Sequence, residues 1–263
     1  MKINSKDVKK ILVVTLSNLG DVILTLPVFQ SLTENFPAAK IHVMVSPSAA
    51  EVFQDDRRID KIIRYDKKMG WGQKWEFLQT VRKEHYSLIV DLRHSLIGLW
   101  GGAQFKNSYF SFTNRTMHQS KKHWLSLKNV VSCDFPSESF LRLRAVPGGG
   151  SGVRLDDHSR LVVAAVGSKS GIKKWPAEYY AELLDRLSMN EACQIVLAGD
   201  QSDCRDAAEV KSRMRSPVID LCGRTNFQEF CQLLASASLL ITNDSAPLHI
   251  ADALKTPVLA IFG

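Results

Sequence analysis

ILVVTLSNLGDVILTLPVFQSL, residues 11–32, is the stretch that decides the architecture. Ile11, Leu12, Val13 and Val14 form a strand-sized apolar run without polar alternation, the pattern of a parallel strand covered on both faces. A strand is expected over 10–16, a polar turn over 17–20, and a helical stretch over 22–35. Pro27 lies inside that stretch, so the helix either starts late or kinks there. Gly20 lets the backbone turn tightly ahead of Asp21, which puts the carboxylate near a helix N-terminus at the carboxyl edge of the sheet, where open α/β sheets bind ligands. A lone Gly-Asp also reads as an ordinary helix-starting acid.

Working outward, further strands are expected at 40–45, 61–65 and 88–91, with a helix over 75–84. A second alternating series begins at a strand over 161–166. It continues with a helix from about Pro176, a strand at 194–198, a helix over 206–213 and a strand at 218–221. Thr225 and Gln228 have capping-box spacing for a helix reaching Ala235. A strand at 239–242, a short helix from about Pro247 and a strand at 258–261 complete the series. Between the two series lies AVPGGGSGVRLDD, residues 145–157, whose consecutive glycines are too costly in backbone entropy for a regular element. The expected fold is α/β: two Rossmann-like domains, 1–146 and 158–263, joined by a linker at 147–157 and facing across a cleft. The sequence stops at Phe262-Gly263 directly after a strand, which suggests a truncated second domain.

Composition narrows the function classes. With 45% hydrophobic and 23% charged residues the chain is ordinary for a globular protein. No apolar run approaches the roughly 20 residues of a membrane span. Lysines precede the first strand, but Ser17, Asn18 and Asp21 interrupt the apolar run before it reaches signal-peptide length. A cytoplasmic location is expected, with peripheral contact at the inner face of the inner membrane compatible with it. The five cysteines, Cys133, Cys193, Cys204, Cys222 and Cys231, show no CxxC or Cys/His spacing and read as reduced, mostly core thiols. Residues 1–157 carry 23 basic against 15 acidic side chains, and residues 158–263 carry 11 against 12. The excess positive charge therefore belongs to the first half, which suits an anionic partner, although sign alone does not choose among nucleic acid, membrane face and acidic substrate. The basic residues are dispersed and no nucleic-acid motif is present.

Two further stretches follow strands. GSKSGIKKWP, residues 167–176, is a loop of small and basic residues leading into a helix, the composition that binds phosphate through free N–H groups and lysine charge. TNDSAPLH, residues 242–249, sets Asp244, Ser245 and His249 around a helix start, where a carboxylate can accept hydrogen bonds from sugar hydroxyls and small residues permit close backbone approach. The first also fits an exposed basic loop, the second a capping motif with a core histidine.

Together with KKWPAEYYAELLDRL at 173–187 and the run from Leu221 to Gly263, these stretches resemble glycosyltransferase family 9, the ADP-heptose:lipopolysaccharide heptosyltransferases, which have the GT-B fold. Residues 50–150 match only loosely. The resemblance implies an inverting, metal-independent glycosyltransferase moving a heptose or related sugar from an ADP-sugar to the acidic core of lipopolysaccharide or a related surface glycan. It makes Asp21 the general base and Lys173 the donor diphosphate ligand. Asp244 would bind sugar hydroxyls, and Ser245, Ala246 and His249 would lie beside the diphosphate and sugar. Ser168 belongs to the same donor loop, and Asp203 is a candidate for the ribose. Acceptor contacts are expected at Arg93, His94, Arg115, Lys121 and Lys122. No cofactor beyond the donor substrate and no metal is implied, since DxD is absent. Where many members have glycine the chain has Ala246, which would be strained if that position needs positive φ.

Two rivals stand beside this reading. A dinucleotide-dependent oxidoreductase needs GxGxxG after the first strand, where the chain has SNLGDV. A non-catalytic nucleotide-sugar-binding protein of the same fold is opposed by the presence of Asp21.

Overall fold

The computed structural model describes residues 3–66, 68–108, 116–132, 134–136, 160–190 and 193–263. The chain divides into two compact units, Met1–Arg142 and Leu143–Gly263. The linker expected at 147–157 lies outside the described residues, as do Arg115 and Cys133.

The first unit is built on a five-stranded parallel sheet: β1 (Lys10–Val14), β2 (Lys40–Val45), β3 (Lys61–Arg64), β4 (Leu88–Asp91) and β5 (Phe105–Lys106). The helices are α1 (Leu19–Ile23), α2 (Leu26–Asn35), α3 (Trp71–Lys83), α4 (Leu96–Trp100) and α5 (Gln119–Leu125). Strand order is β3-β2-β1-β4-β5. Burial explains the unbroken apolar run of β1, because Ile11, Leu12, Val13 and Val14 are all enclosed. On one face Leu12, Val14, Met44 and Ile89 pack with Leu78 and Val81 of α3. Across the unit, Phe29 of α2 meets Phe53 with ring centroids 4.8 Å apart.

The stretch expected as one helix over 22–35 is two helices, α1 and α2, parted at Leu24 and Thr25. Pro27 sits in the first turn of α2, where its missing N–H costs nothing. Helix α3 begins at Trp71, four residues earlier than expected.

The second unit repeats the plan. Its strands are β6 (Arg160–Ala165), β7 (Cys193–Leu197), β8 (Ile219–Asp220), β9 (Leu239–Asn243) and β10 (Val258–Ile261), all parallel, in the order β10-β9-β6-β7-β8. Helices α6 (Ala177–Asn190), α7 (Cys204–Arg213), α8 (Phe227–Ser236) and α9 (Ala246–Leu254) follow the strands. Val162, Ala164, Tyr180, Leu184, Ile195, Leu197, Val210 and Ile241 form the core on one face. The capping box of α8 is one residue later than expected: Asn226 Oδ1 accepts the Glu229 N–H at 2.9 Å and Glu229 Oε2 accepts the Asn226 N–H at 2.8 Å. Cys222 and Cys231 are buried, and Cys193 and Cys204 are partly buried.

Numbered within its own unit, each sheet has the order 3-2-1-4-5. The chain winds outward from the first strand through the second and third, then returns to the other side of the first. The crevice at the carboxyl ends of the first and fourth strands is the topological switch point, where such sheets bind ligands. In the first unit it lies after β1 and β4, and in the second after β6 and β9.

Candidate active site

At the first switch point the β1–α1 turn carries Asp21. Its exposed carboxylate accepts a hydrogen bond from the Asn18 side-chain amide at 3.0 Å. The turn is fixed from beneath. The hydroxyls of Thr15 and Thr25, both buried, lie 3.2 Å apart, and Thr25 donates to the Val22 carbonyl at 2.7 Å.

After β4 the buried Asp91 organises the neighbouring turn. One carboxylate oxygen accepts the Arg93 N–H at 2.9 Å, and the other accepts the Ser95 N–H at 2.7 Å, the Ser95 hydroxyl at 2.8 Å and the Gly98 N–H at 3.1 Å. Such dense donation holds His94 at φ 53°, the left-handed region that a residue with a Cβ enters at a cost. The Arg93 guanidinium stands 6.0 Å from the centroid of the Tyr65 ring. Helix α5 is pinned to α2 by the Trp124 indole N–H, which donates to the Ser31 hydroxyl at 2.9 Å in the buried interior. This docking brings Lys121, Lys122 and His123 to the same unit, with His123 in electrostatic reach of Asp21, His94 and Lys122. Burial lowers the His123 pKa, and the Asp21 charge only partly opposes it. His123 therefore stands near the carboxylate as a neutral imidazole at pH 7. The sequence gives no sign of this, because 102 positions separate the two residues. Among the acceptor candidates, Arg93 and His94 share the Asp91 turn, Lys121 and Lys122 lie on α5, and Arg115 lies outside the described residues.

At the second switch point, the loop after β6 ends in a single 3-10 turn, Gly171–Lys173, before α6. The Ser168 hydroxyl accepts the Ser170 N–H at 3.3 Å inside this loop. Lys173 Nζ reaches across to Asp244, just past β9, at 2.5 Å, and the two side chains are 46% and 30% exposed. Lys174 turns away and pairs with Asp206 of α7 at 2.6 Å, beside a pocket that Pro176, Glu178 and Glu209 also line. Adjacent lysines thus serve different sides of the unit.

The residue that joins the two loops is Asn243, fully buried at the end of β9. Its amide donates to the Val166 carbonyl at 2.8 Å, while its Oδ1 accepts the Trp175 N–H at 3.1 Å and the Tyr180 hydroxyl at 3.0 Å. A polar residue between the apolar Leu239-Leu240-Ile241 run and Asp244 was the available signal for it.

Ser245 caps α9 in extended backbone, Ala246 is the first residue of that helix and Pro247 lies in its first turn. Positive φ occurs at His85, His94 and Lys255 among the described non-glycine residues, so Ala246 is unstrained. His249 stands one turn further along α9. Asp203 is near the carboxyl ends of β6 and β7. Its carboxylate accepts the Asp200 N–H at 3.1 Å, and a Cβ added to Gly167 would meet its Oδ1 at 1.9 Å. Burial, and then the Asp200 charge, push the Asp203 pKa upward. The four donor candidates Lys173, Asp244, Ser245 and Ala246 therefore gather at one crevice, with Ser168 in its loop, His249 along α9, and Asp203 at the β6–β7 end.

Comparison with known proteins bears on the family and the fold. The family described as Glycosyltransferase family 9 (heptosyltransferase) matches residues 134–263. The chain is 25% identical over 277 residues to lipopolysaccharide heptosyltransferase 3 of Escherichia coli K12, covering 93% of this chain and 79% of that protein. A family 9 glycosyltransferase structure from Veillonella parvula superimposes with a TM-score of 0.82 at 23% identity, covering 96% of this chain and 80% of that one. The E. coli heptosyltransferase WaaC, in a structure with ADP-2-deoxy-2-fluoro heptose, gives 0.74 at 17% identity, covering 95% and 88%. The shared fold is two-domain GT-B α/β.

Proposed function

The chain belongs to glycosyltransferase family 9, and from that premise we propose that it is an inverting, metal-independent transferase carrying a heptose from ADP-heptose to the acidic core of a lipopolysaccharide. The observation that carries the donor half of this reading is the Lys173–Asp244 pair at the β6–β9 switch point. An ammonium beside a carboxylate, next to the N-terminus of α9, offers a cation and helix N–H groups to a diphosphate and an acceptor oxygen to sugar hydroxyls. In the reaction Asp21 takes the proton of the acceptor hydroxyl. The oxygen then attacks the anomeric carbon opposite the leaving group, the bond from that carbon to the phosphate oxygen breaks, and the charge left on the diphosphate is stabilised by Lys173 and the α9 N–H groups. Ser168, His249 and, at the ribose, Asp203 complete the donor site. The reaction as written needs no cofactor, and its expected location is the cytoplasm beside the inner membrane, where the acceptor would be presented.

The two lysines test the donor reading. Lys173→Ala is expected to weaken ADP binding about tenfold, within the range for losing a charge-assisted hydrogen bond once partial exposure is allowed for. Lys174→Ala, which removes the ion-pair partner of Asp206 on α7 and a minor charge acting on Asp203, should change it less than about threefold. Calorimetric titration with ADP decides, and equal losses would make the loop a generic basic surface.

For the acceptor, the test is salt. Attraction of an acidic glycan through Arg93, Lys121 and Lys122 is screened over about 8 Å at physiological ionic strength. Acceptor affinity should therefore fall with salt more steeply than ADP affinity, and neutral substitutions at the three positions should flatten that slope. An acceptor affinity as insensitive to salt as that of ADP would leave the basic first half a solvated surface.

A further inference from the structure

We propose that the face formed by α3 and α4 docks on an anionic phospholipid bilayer. Three of the five tryptophans of the chain are spread in solvent there: Trp71 is 81% exposed, Trp75 53% and Trp100 53%, with Leu99 at 52% beside them. Large apolar side chains grouped in water mark an interaction surface, whereas single ones do not. These form one group. Trp71 and Trp75 are four residues apart on α3 and share a face, the Trp75 and Trp100 rings meet edge to face with centroids 6.3 Å apart, and Leu99 adjoins Trp100 on α4.

The border of this group is basic. Lys74 Nζ stands 5.5 Å from the centroid of the Trp71 ring. The Arg82 side chain runs beside Gly102, two residues past Trp100, where an added Cβ would lie 3.8 Å from it. Lys106 Nζ donates to the Leu99 carbonyl at 2.7 Å. Within α3, Glu76 is outnumbered by Lys74, Arg82 and Lys83.

Indole tips ringed by cations match the headgroup layer of a membrane. There the ring body enters the acyl boundary, the N–H stays in the polar zone, and lysine and arginine meet lipid phosphates. Among the described residues no helix is long and apolar enough to cross a membrane, so these helices dock and do not span. The placement also has a use. Ser95, the cap of α4, is bonded to Asp91 through both its N–H and its hydroxyl, so the patch is rigidly tied to the turn bearing Arg93 and His94. Docking would hold that turn against the surface carrying a glycolipid acceptor. This consequence rests on the proposed acceptor, while the docking itself rests on the patch.

The test uses the whole chain with mixed phosphatidylcholine and phosphatidylglycerol vesicles, and with phosphatidylcholine vesicles alone, both free of lipopolysaccharide. Cosedimentation with the mixed vesicles is expected, together with a blue shift of tryptophan emission, because three of the five indoles move into an apolar layer. Trp75→Ser with Trp100→Ser should reduce partitioning to both vesicle types with unchanged circular dichroism. Lys74→Gln, Arg82→Gln and Lys106→Gln together should reduce partitioning to the mixed vesicles by roughly tenfold to a hundredfold, the scale set by anionic-surface attraction per basic residue. Wild type failing to bind mixed vesicles, or variants binding as wild type does, would overturn the proposal. So would a dimer that the tryptophan variant dissociates without changing vesicle binding, since the face would then serve self-association. Titration with ADP on the same variants should give wild-type affinity, which separates a failed donor reading from a failed docking surface.

Discussion

Asp21→Asn is expected to reduce sugar transfer by about 10² to 10⁴, the range for loss of a positioned general base, while ADP affinity stays within a few-fold. The substitution is nearly isosteric, and the side chain is exposed, so the fold has little to lose. The Asn18 amide can still donate to the carboxamide oxygen in place of the carboxylate oxygen it meets at 3.0 Å. The Thr15–Thr25 contact beneath the turn is untouched. What disappears is the proton acceptor. His123 is a weaker proton acceptor than a free imidazole, because burial lowers its pKa and the Asp21 charge that partly opposed this is gone. Single-turnover transfer with saturating donor measures the chemical step, and a rate within tenfold of wild type would remove Asp21 from the mechanism.

The sheets were legible for a physical reason. A parallel strand buried on both faces favours a continuous apolar run, and β1, β4 and the first three residues of β9 are written that way, while β2 departs from it only at the buried His42, so their positions could be read almost to the residue. Once strands and helices alternate, the switch-point rule places Asp21 and Asp244 at carboxyl edges without further information. What escaped was short or nonlocal. Helices α4 and α5, of five and seven residues, are too short to show a period, yet α4 carries the exposed Trp100 and α5 brings His123 near Asp21. The start of α3 was missed because its cap is Gly70, with Gln73 Oε1 accepting the Gly70 N–H at 3.1 Å, and exposed tryptophans at 71 and 75 mask an amphipathic pattern. For α8, Thr225 with Gln228 and Asn226 with Glu229 fit the same spacing rule, and side-chain geometry selects the second. Asp203 beside Gly167 and Asn243 beneath Trp175 are relations between loops, which no local pattern encodes.

Asn243→Ala should cost the second unit about 3 to 5 kcal/mol, the scale of breaking a buried network that strands several polar groups. Removing the side chain takes the donor from the Val166 carbonyl and the acceptor from both the Tyr180 hydroxyl and the Trp175 N–H. Tyr180 cannot escape by ionising, because burial pushes its pKa upward and keeps the phenol a donor in need of an acceptor. Against a typical domain stability of about 5 to 15 kcal/mol the loss is large, and a unit of this size should unfold on the order of 10 to 20 °C lower. Function should suffer before unfolding does. The bond to the Trp175 N–H is what ties the segment carrying Lys173 to the end of β9, so ADP affinity should drop by more than Lys173→Ala alone produces. Asn243→Asp is no rescue, since it keeps the acceptor but sets a buried carboxylate against the Val166 and Gly167 carbonyls. Tyr180→Phe supplies the control. It should cost about 1 kcal/mol alone and almost nothing in the Asn243→Ala background, because the hydroxyl's partner is already absent. Thermal melts of the four chains close the cycle. Additive losses, or an Asn243→Ala protein melting with wild type, would mean that the loops after β6 and β9 are held together by something other than this side chain.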